Sequence, residues 1–179
     1  MMQDKNKANA VLDISAYKTS LIELLISSDN IIKLIDSQQA GVYEPADHIY
    51  KNIFPYLHVN GTQTDEDSYI LIAVSQPQLN RRNGTFTDIH VQIQVVVHRQ
   101  RMELDNANAT RLDAIAHEII GILDGGVDFG FGMLECYSSI EDMLTDVYLR
   151  RELYFRTVDL TKYSNDRVGI LGKNGWDRR

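Results

Sequence analysis

The sequence predicts an α/β fold of the α+β kind, a mostly antiparallel sheet of long strands packed on one face by helices. Three observations carry that reading. Phe86 to His98 alternates along its whole length, with Ile89, Val91, Ile93, Val95 and Val97 on one face. Asp88, His90, Gln92, Gln94 and His98 take the other face, and Val96 is the exception. Asn108 to Leu123 sets Leu112, Ile115, Ala116, Ile119, Ile120 and Leu123 in one helical stripe. Leu144 to Leu160 alternates again, Val147, Leu149, Leu153 and Phe155 against Tyr148, Arg150, Glu152, Tyr154 and Arg156.

The remaining elements follow in chain order. Residues 1–14 are a polar segment expected to be flexible, and residues 15–160 are expected to form a single domain. Between Ser15 and Ser37, Leu21, Leu24, Leu25, Ile31, Ile32, Leu34 and Ile35 recur at helical spacing. Ser27, Ser28 and Asp29 interrupt them, which predicts two helices or one broken helix restarting near Ser28. Asp47 to Val59 is aromatic and apolar, and Pro55 prevents one continuous helix there. Tyr69 to Val74 is apolar on both alternating faces, as in a strand covered on both sides. Gln76 to Thr85, with Arg81, Arg82 and an Asn83-Gly84 turn signal, is too long for a two-residue hairpin and predicts an exposed loop between antiparallel strands. Thr110 and Asp113 suggest a capping-box variant at the start of the 108–123 helix, and Asp124-Gly125-Gly126 ends it. A further strand is expected around Met133 to Tyr137.

The chain of 179 residues is 44% hydrophobic and 24% charged, the composition of a globular domain rather than a disordered tract. A chain of this length buries about 70% of its unfolded surface, enough to fold without disulfides or structural metals. Cys136 is the single cysteine, which excludes an internal disulfide and any multi-cysteine zinc site and suits a reducing compartment. The longest apolar run, Tyr69 to Val74, is far short of the roughly 20 residues that span a bilayer, so no membrane partner is expected. The first twenty residues lack a signal-peptide core, which argues against secretion by that route.

A formal charge of −7 argues against a nucleic-acid binder that depends on a broad basic field. Residues 161–179 run the other way. Lys162, Arg167, Lys173, Arg178 and Arg179 face only Asp166 and Asp177, a formal +3, which leaves −10 on residues 1–160. Two readings stand: a solvated, frayed terminus, or a basic arm lying on an acidic neighbouring subunit or partner. Ile170, Leu171 and Trp176 give such an arm something to bury, and Gly169, Gly172 and Gly175 keep it pliable.

Length bears on association. At about 3.3 Å per residue, Phe86 to His98 spans roughly 43 Å, against a diameter on the order of 40 Å for a compact domain of this size. Strands this long bend strongly or project beyond the globule. The polar face, rich in Gln, Tyr, Arg and His, is either a wet sheet face or a surface that meets a neighbour.

No catalytic constellation stands out. His117-Glu118 begins like a zinc-protease helix, but position 121 is Gly where a second His is required. Asp88 and His90 share a strand face at i, i+2 spacing, with no third ligand placed beside them by the sequence. The glycines at 125–132 follow a helix and precede a strand, the reverse of a phosphate loop, with Phe129 and Phe131 between them. Ser138-Ser139 lacks a nucleophile-elbow setting, Cys136 has no His or basic neighbour, and Glu141-Asp142 read as loop charges. Arg150, Arg151 and Arg156 with Tyr148 and Tyr154 form a basic-aromatic stretch suited to phosphate contact and base stacking. In an acidic chain interrupted there by Glu152, arginines meeting a neighbour's carboxylates fit better.

The order helix, aromatic segment, strand, loop, long strand, helix, long strand is joined by four strings: Tyr50-Lys-Asn-Ile-Phe-Pro-Tyr56, Ile89-His-Val-Gln-Ile-Gln-Val-Val-Val-His98, Arg111-Leu-Asp-Ala-Ile-Ala-His-Glu-Ile-Ile120 and Phe129-Gly-Phe-Gly132. Together, over residues 15–160, they resemble the small neck and tail-completion proteins of tailed bacteriophages. Members of that family are tail terminators of α/β fold, which form a hexameric ring capping the tail tube and docking it to the head connector. The resemblance implies a structural protein of the virion neck, assembled in the host cytoplasm as a homo-oligomeric ring. Its partners would be the tail tube protein and the head-completion or connector proteins, and DNA would pass through its lumen without specific binding. It implies no enzyme activity and no cofactor, and it supplies no catalytic residues. On this reading Gln92, Gln94, Arg150, Tyr154 and Arg156 are expected at subunit contacts, Arg81 and Arg82 in a docking loop, and Trp176 in a contact made by the arm. A head-closure or adaptor ring of the same neck is the alternative within the class. A metal-dependent hydrolase built on Asp88, His90 and His117 is the alternative outside it.

Overall fold

Alternation of side chains along a strand decides which face is buried, and here it sets the frame of the molecule. A computed structural model of the chain describes residues 5–35, 44–57, 67–75, 86–104, 108–126 and 133–160. The described strands are β1 (Ile53–Phe54), β2 (Ser68–Ser75), β3 (Phe86–His98), β4 (Glu135–Met143) and β5 (Tyr148–Leu160). They form one five-stranded sheet in the order β1-β2-β3-β5-β4. β1 pairs parallel with β2 and the other neighbours are antiparallel, so the expected α+β architecture is the observed one.

β3 occupies the span its alternation marks, and it pairs with β5 from Phe86↔Leu160 to His98↔Tyr148. β2 covers only His90 to Val97 of β3, and β4 covers only Leu149 to Arg156 of β5. The pair Phe86–Ile89 with Thr157–Leu160 therefore runs on as a two-stranded ribbon past both flanking strands. β4 and β5 form a hairpin whose turn is closed by Thr145: its hydroxyl accepts from Tyr148 N at 3.1 Å and its amide donates to Tyr148 O at 3.2 Å. That turn displaces the start of the last strand from Leu144 to Tyr148.

Three helices, α1 (Lys5–Ile26), α2 (Asp29–Ile35) and α3 (Arg111–Leu123), lie on one face of the sheet. Their buried Leu21, Leu25, Ile31, Ile35, Leu112, Ile115, Ile119 and Leu123 meet Ile70, Ile72, Ile89, Val91, Ile93, Val95, Leu153 and Phe155. The break between α1 and α2 is the one predicted: Ser28 Oγ accepts from Ile31 N at 3.4 Å, an N-cap bond that starts the second helix. α1 begins at Lys5, ten residues before its apolar periodicity becomes readable.

Thr110 caps α3, accepting from Asp113 N at 3.1 Å while its hydroxyl donates to Asp113 Oδ2 at 2.7 Å, which makes the capping box a side-chain variant. Gly125, at φ +78°, turns the chain out of that helix. Backbone bonds of 2.8 Å from Gly125 N to Leu134 O and from Leu134 N to Gly126 O then return it to the sheet. Phe129 to Gly132 lie outside the described residues, as do Arg81, Arg82 and the whole 161–179 arm with Trp176.

Two further expectations need correction. The strand placed around Met133 to Tyr137 is β4, running on to Met143, so Glu141 and Asp142 are strand residues rather than loop charges. The polar face of β3 is also not uniformly wet. Val96, its exception, is buried with Phe54, Tyr69, Leu71 and Tyr148 in a second apolar cluster.

Candidate functional site

Among the described residues no helix covers the second face of the sheet, and three zones follow one another along β3 from its end to its start. The first is the apolar cluster around Val96. Its rings meet at 6.4 Å (Phe54 and Tyr69) and 6.3 Å (Tyr69 and Tyr148), and the His98 ring stands edge-on to Tyr148 at 5.0 Å.

The middle zone is a polar network made by strand register. Gln94 opposes Glu152, and Gln92 opposes Tyr154. Gln94 Nε2 donates to Glu152 Oε1 at 2.9 Å, the Tyr154 hydroxyl donates to Glu152 Oε2 at 2.5 Å, and Gln92 Nε2 donates to that same hydroxyl at 3.2 Å. Arg150 grips Asp142 with two bonds, Nε to Oδ1 at 2.9 Å and Nη2 to Oδ2 at 2.5 Å, and its Nη1 lies 3.0 Å from Glu152 Oε1. The Arg150 bonds hold the Asp142 carboxyl below its ordinary pKa, and the same bonds raise that of Arg150. The Tyr154 phenol is raised, first by the bond it donates to Glu152 and then by burial.

The third zone is aromatic and exposed. Tyr137, the extra residue of a bulge between Cys136 and Ser138, projects beside His90 and Tyr154, with ring centroids 6.2 Å away in each case. Arg156 pairs with Glu135 at 2.9 Å and lies 5.7 Å over the Tyr137 ring. A cavity of about 470 Å³ opens between Asp88, His90, Met133, Glu135, Tyr137 and Arg156.

Four of the five side chains expected at contacts, Gln92, Gln94, Arg150 and Tyr154, thus belong to one network within the chain, buried or half-buried. Arg156 alone of the five is exposed. The carboxylates assigned to a neighbour are the chain's own: Asp142 for Arg150, Glu135 for Arg156, and Glu141 with Asp113 for Arg151. The outward groups that sequence reading missed are Tyr137, Ile140 and Met143, which are 46%, 52% and 67% exposed. Large apolar residues in an acidic segment were the available signal.

The hydrolase constellation does not come together. His117 is exposed on α3, beyond one face of the sheet, while Asp88 and His90 stand on the opposite face. Glu118 accepts from Asn30 of α2 at 3.3 Å, a helix-to-helix contact. Among the described residues no group of three or more His, Cys, Asp or Glu side chains is placed to hold a metal ion. Burial raises the Cys136 thiol, which favours the protonated form over a nucleophilic thiolate. Among the described residues no helix is long and apolar enough to cross a membrane.

Among the described residues, then, helices back the sheet on one face, the other face is bare, and β4 exposes large apolar side chains. The phage-associated YomW family model matches residues 20–157, from the last two turns of α1 almost to the end of β5, and the chain belongs to that family. It is a phage protein. No curated protein matches the chain.

Proposed function

We propose that this chain is a structural protein of the phage neck, a tail terminator whose copies form a ring, with six as the expected number. The ring would cap the tail tube and join it to the head-completion or connector proteins. The observation that carries the reading is the sheet itself. Two thirteen-residue strands, each roughly 43 Å long at about 3.3 Å per residue, are covered by helices on one face only among the described residues, and the β4 side leaves large apolar side chains in solvent. The ordered network of Gln92, Gln94, Arg150, Glu152 and Tyr154 makes the bare face stiff, and a preorganised surface loses little side-chain entropy on docking. No catalytic role and no cofactor are part of this reading. An acidic lumen wall would let DNA pass without adhering to it.

The test is the mass of the purified protein in solution together with its position in the particle. A closed oligomer in solution and a ring at the head-proximal end of the tube are the expected results. A monomer in solution that is missing from virions would end the proposal. A ring located on the connector side, away from the tube end, would instead make the chain a head-closure or adaptor protein.

A further inference from the structure

β4 is the outer strand of the sheet among the described residues, and beyond Cys136, whose N donates to Asp124 Oδ1 at 2.8 Å, its far edge carries backbone N–H and C=O groups with no strand beside them. Natural edge strands are usually short, twisted away or guarded by charge. β4 runs nine residues with Tyr137 and Ile140 exposed on its bare-face side and Met143 on the other. Its three carboxylates, Glu135, Glu141 and Asp142, point back to the arginines of β5 rather than outward across the edge. Residues 135–156 nonetheless hold five carboxylates against three arginines, so the hairpin is acidic. An edge of this kind accepts an extended, apolar and basic segment.

The chain holds such a segment. Residues 161–179 carry a formal +3, with Val168, Ile170 and Leu171 close together and Lys162, Arg167 and Lys173 around them. They lie outside the YomW match at 20–157 and follow β5 directly. We infer that residues 161–179 of one copy add as a strand to the β4 edge of the next copy, so that each subunit clasps its neighbour. The inference rests on the ring reading and names its clasp.

Two other occupants fit less well. A chain's own arm would leave β5 at the end where the chain enters β4, since Glu135 pairs with Arg156, and would have to cross that entering segment. Connections rarely cross on one edge of a sheet. Two β4 edges facing each other would bring together two acidic hairpins. A head-to-tail contact between unlike surfaces also closes into rings, as a twofold contact does not.

The experiment uses the full chain with Cys136→Ser, so that no native thiol interferes. One preparation carries Ile140→Cys and a second, of different tagged mass, carries Ile170→Cys. They are mixed under refolding conditions and oxidised. A disulfide joining the two tags is expected. Its absence overturns the inference, whether or not Ile140→Cys pairs with itself. A chain carrying both cysteines that closes only within itself overturns it as well. In parallel, full-length Ile170→Glu/Leu171→Glu is expected to run at a lower oligomeric mass than the parent, with unchanged circular dichroism. If the parent is a closed ring and this variant remains one, the clasp is wrong and the ring stands. If the parent is a monomer and no mixed disulfide forms, both fail.

Discussion

At the scale of single residues, the informative groups are the arginines of β5, because each is anchored by a carboxylate of β4 and Arg151 by Asp113 of α3 as well. Asp142 carries the clearest pH signature. Its folded pKa is held below the ordinary 3.8 by Arg150, so its stabilisation is present above that value and is lost as pH falls through the folded pKa. Asp142 is nearly half exposed, which keeps the effect to about 1 kcal/mol or less. The thermal midpoint of Asp142→Asn should accordingly fall less steeply than the parent's between about pH 5 and 2, and parallel curves would show the pair to be inert. Arg151 does more, since its Nη2 bonds both Asp113 of α3, at 2.5 Å, and Glu141 of β4. It ties the helix layer to the outer hairpin. Arg151→Ala should cost about 1 kcal/mol in urea unfolding, since Asp113 and Glu141 are 43% and 46% exposed and solvent screens both pairs. A loss below a few tenths would mean that solvent replaces both partners.

At the scale of elements, what was legible and what was not follows from burial. β3 alternates because one of its faces is buried along the strand, and its two ends could be read directly from Phe86 to His98. α3 has a six-residue stripe and a Thr110 cap, and both are found. β4 resisted because it buries almost nothing, so composition carries no period, and the bulge at Tyr137 shifts the phase of what little pattern exists. The Val96 exception was visible, but its meaning was not. It takes register to show that Val96 shares a face with Tyr69 and Tyr148, residues far away in sequence.

Arg111 shows the same limit, since nothing local marks it as more than a surface charge at a helix start. Buried, its Nε donates to Arg101 O at 2.7 Å and its Nη1 to Leu34 O at 2.6 Å. It thereby caps the end of α2 and pins α3 to the turn after β3. Arg111→Leu keeps the apolar contacts and removes the donors. It should destabilise by about 2–3 kcal/mol, the cost of leaving buried carbonyls unmet, read as a lower urea midpoint at unchanged slope. A neutral result would show that these carbonyls find other donors.

At the scale of the whole molecule, protection should be graded across the sheet. β3 and β5 lie at its centre, bonded on both sides over much of their length, whereas among the described residues β4 has a strand on one side only, with Cys136 N held by Asp124 Oδ1. Amides at the centre exchange through large openings, and those on a free edge through small ones. For an isolated molecule, hydrogen exchange should be slowest in Ile89 to Val97 and Leu149 to Phe155, and fast at alternate positions of Glu135 to Met143. Association changes only surfaces that meet, so raising the protein concentration discriminates between modes of contact. If copies join through the β4 edge, amides of residues 135–143 should slow by tenfold or more, a factor that corresponds to about 1.4 kcal/mol of added protection. The Phe86–Ile89 and Thr157–Leu160 ribbon, which also has no flanking strand among the described residues, serves as the control. Slowing confined to that ribbon would move the contact to the far end of the two long strands. A β4 edge whose exchange is indifferent to concentration, in a protein that nonetheless assembles, would mean that the bare face rather than the edge does the joining.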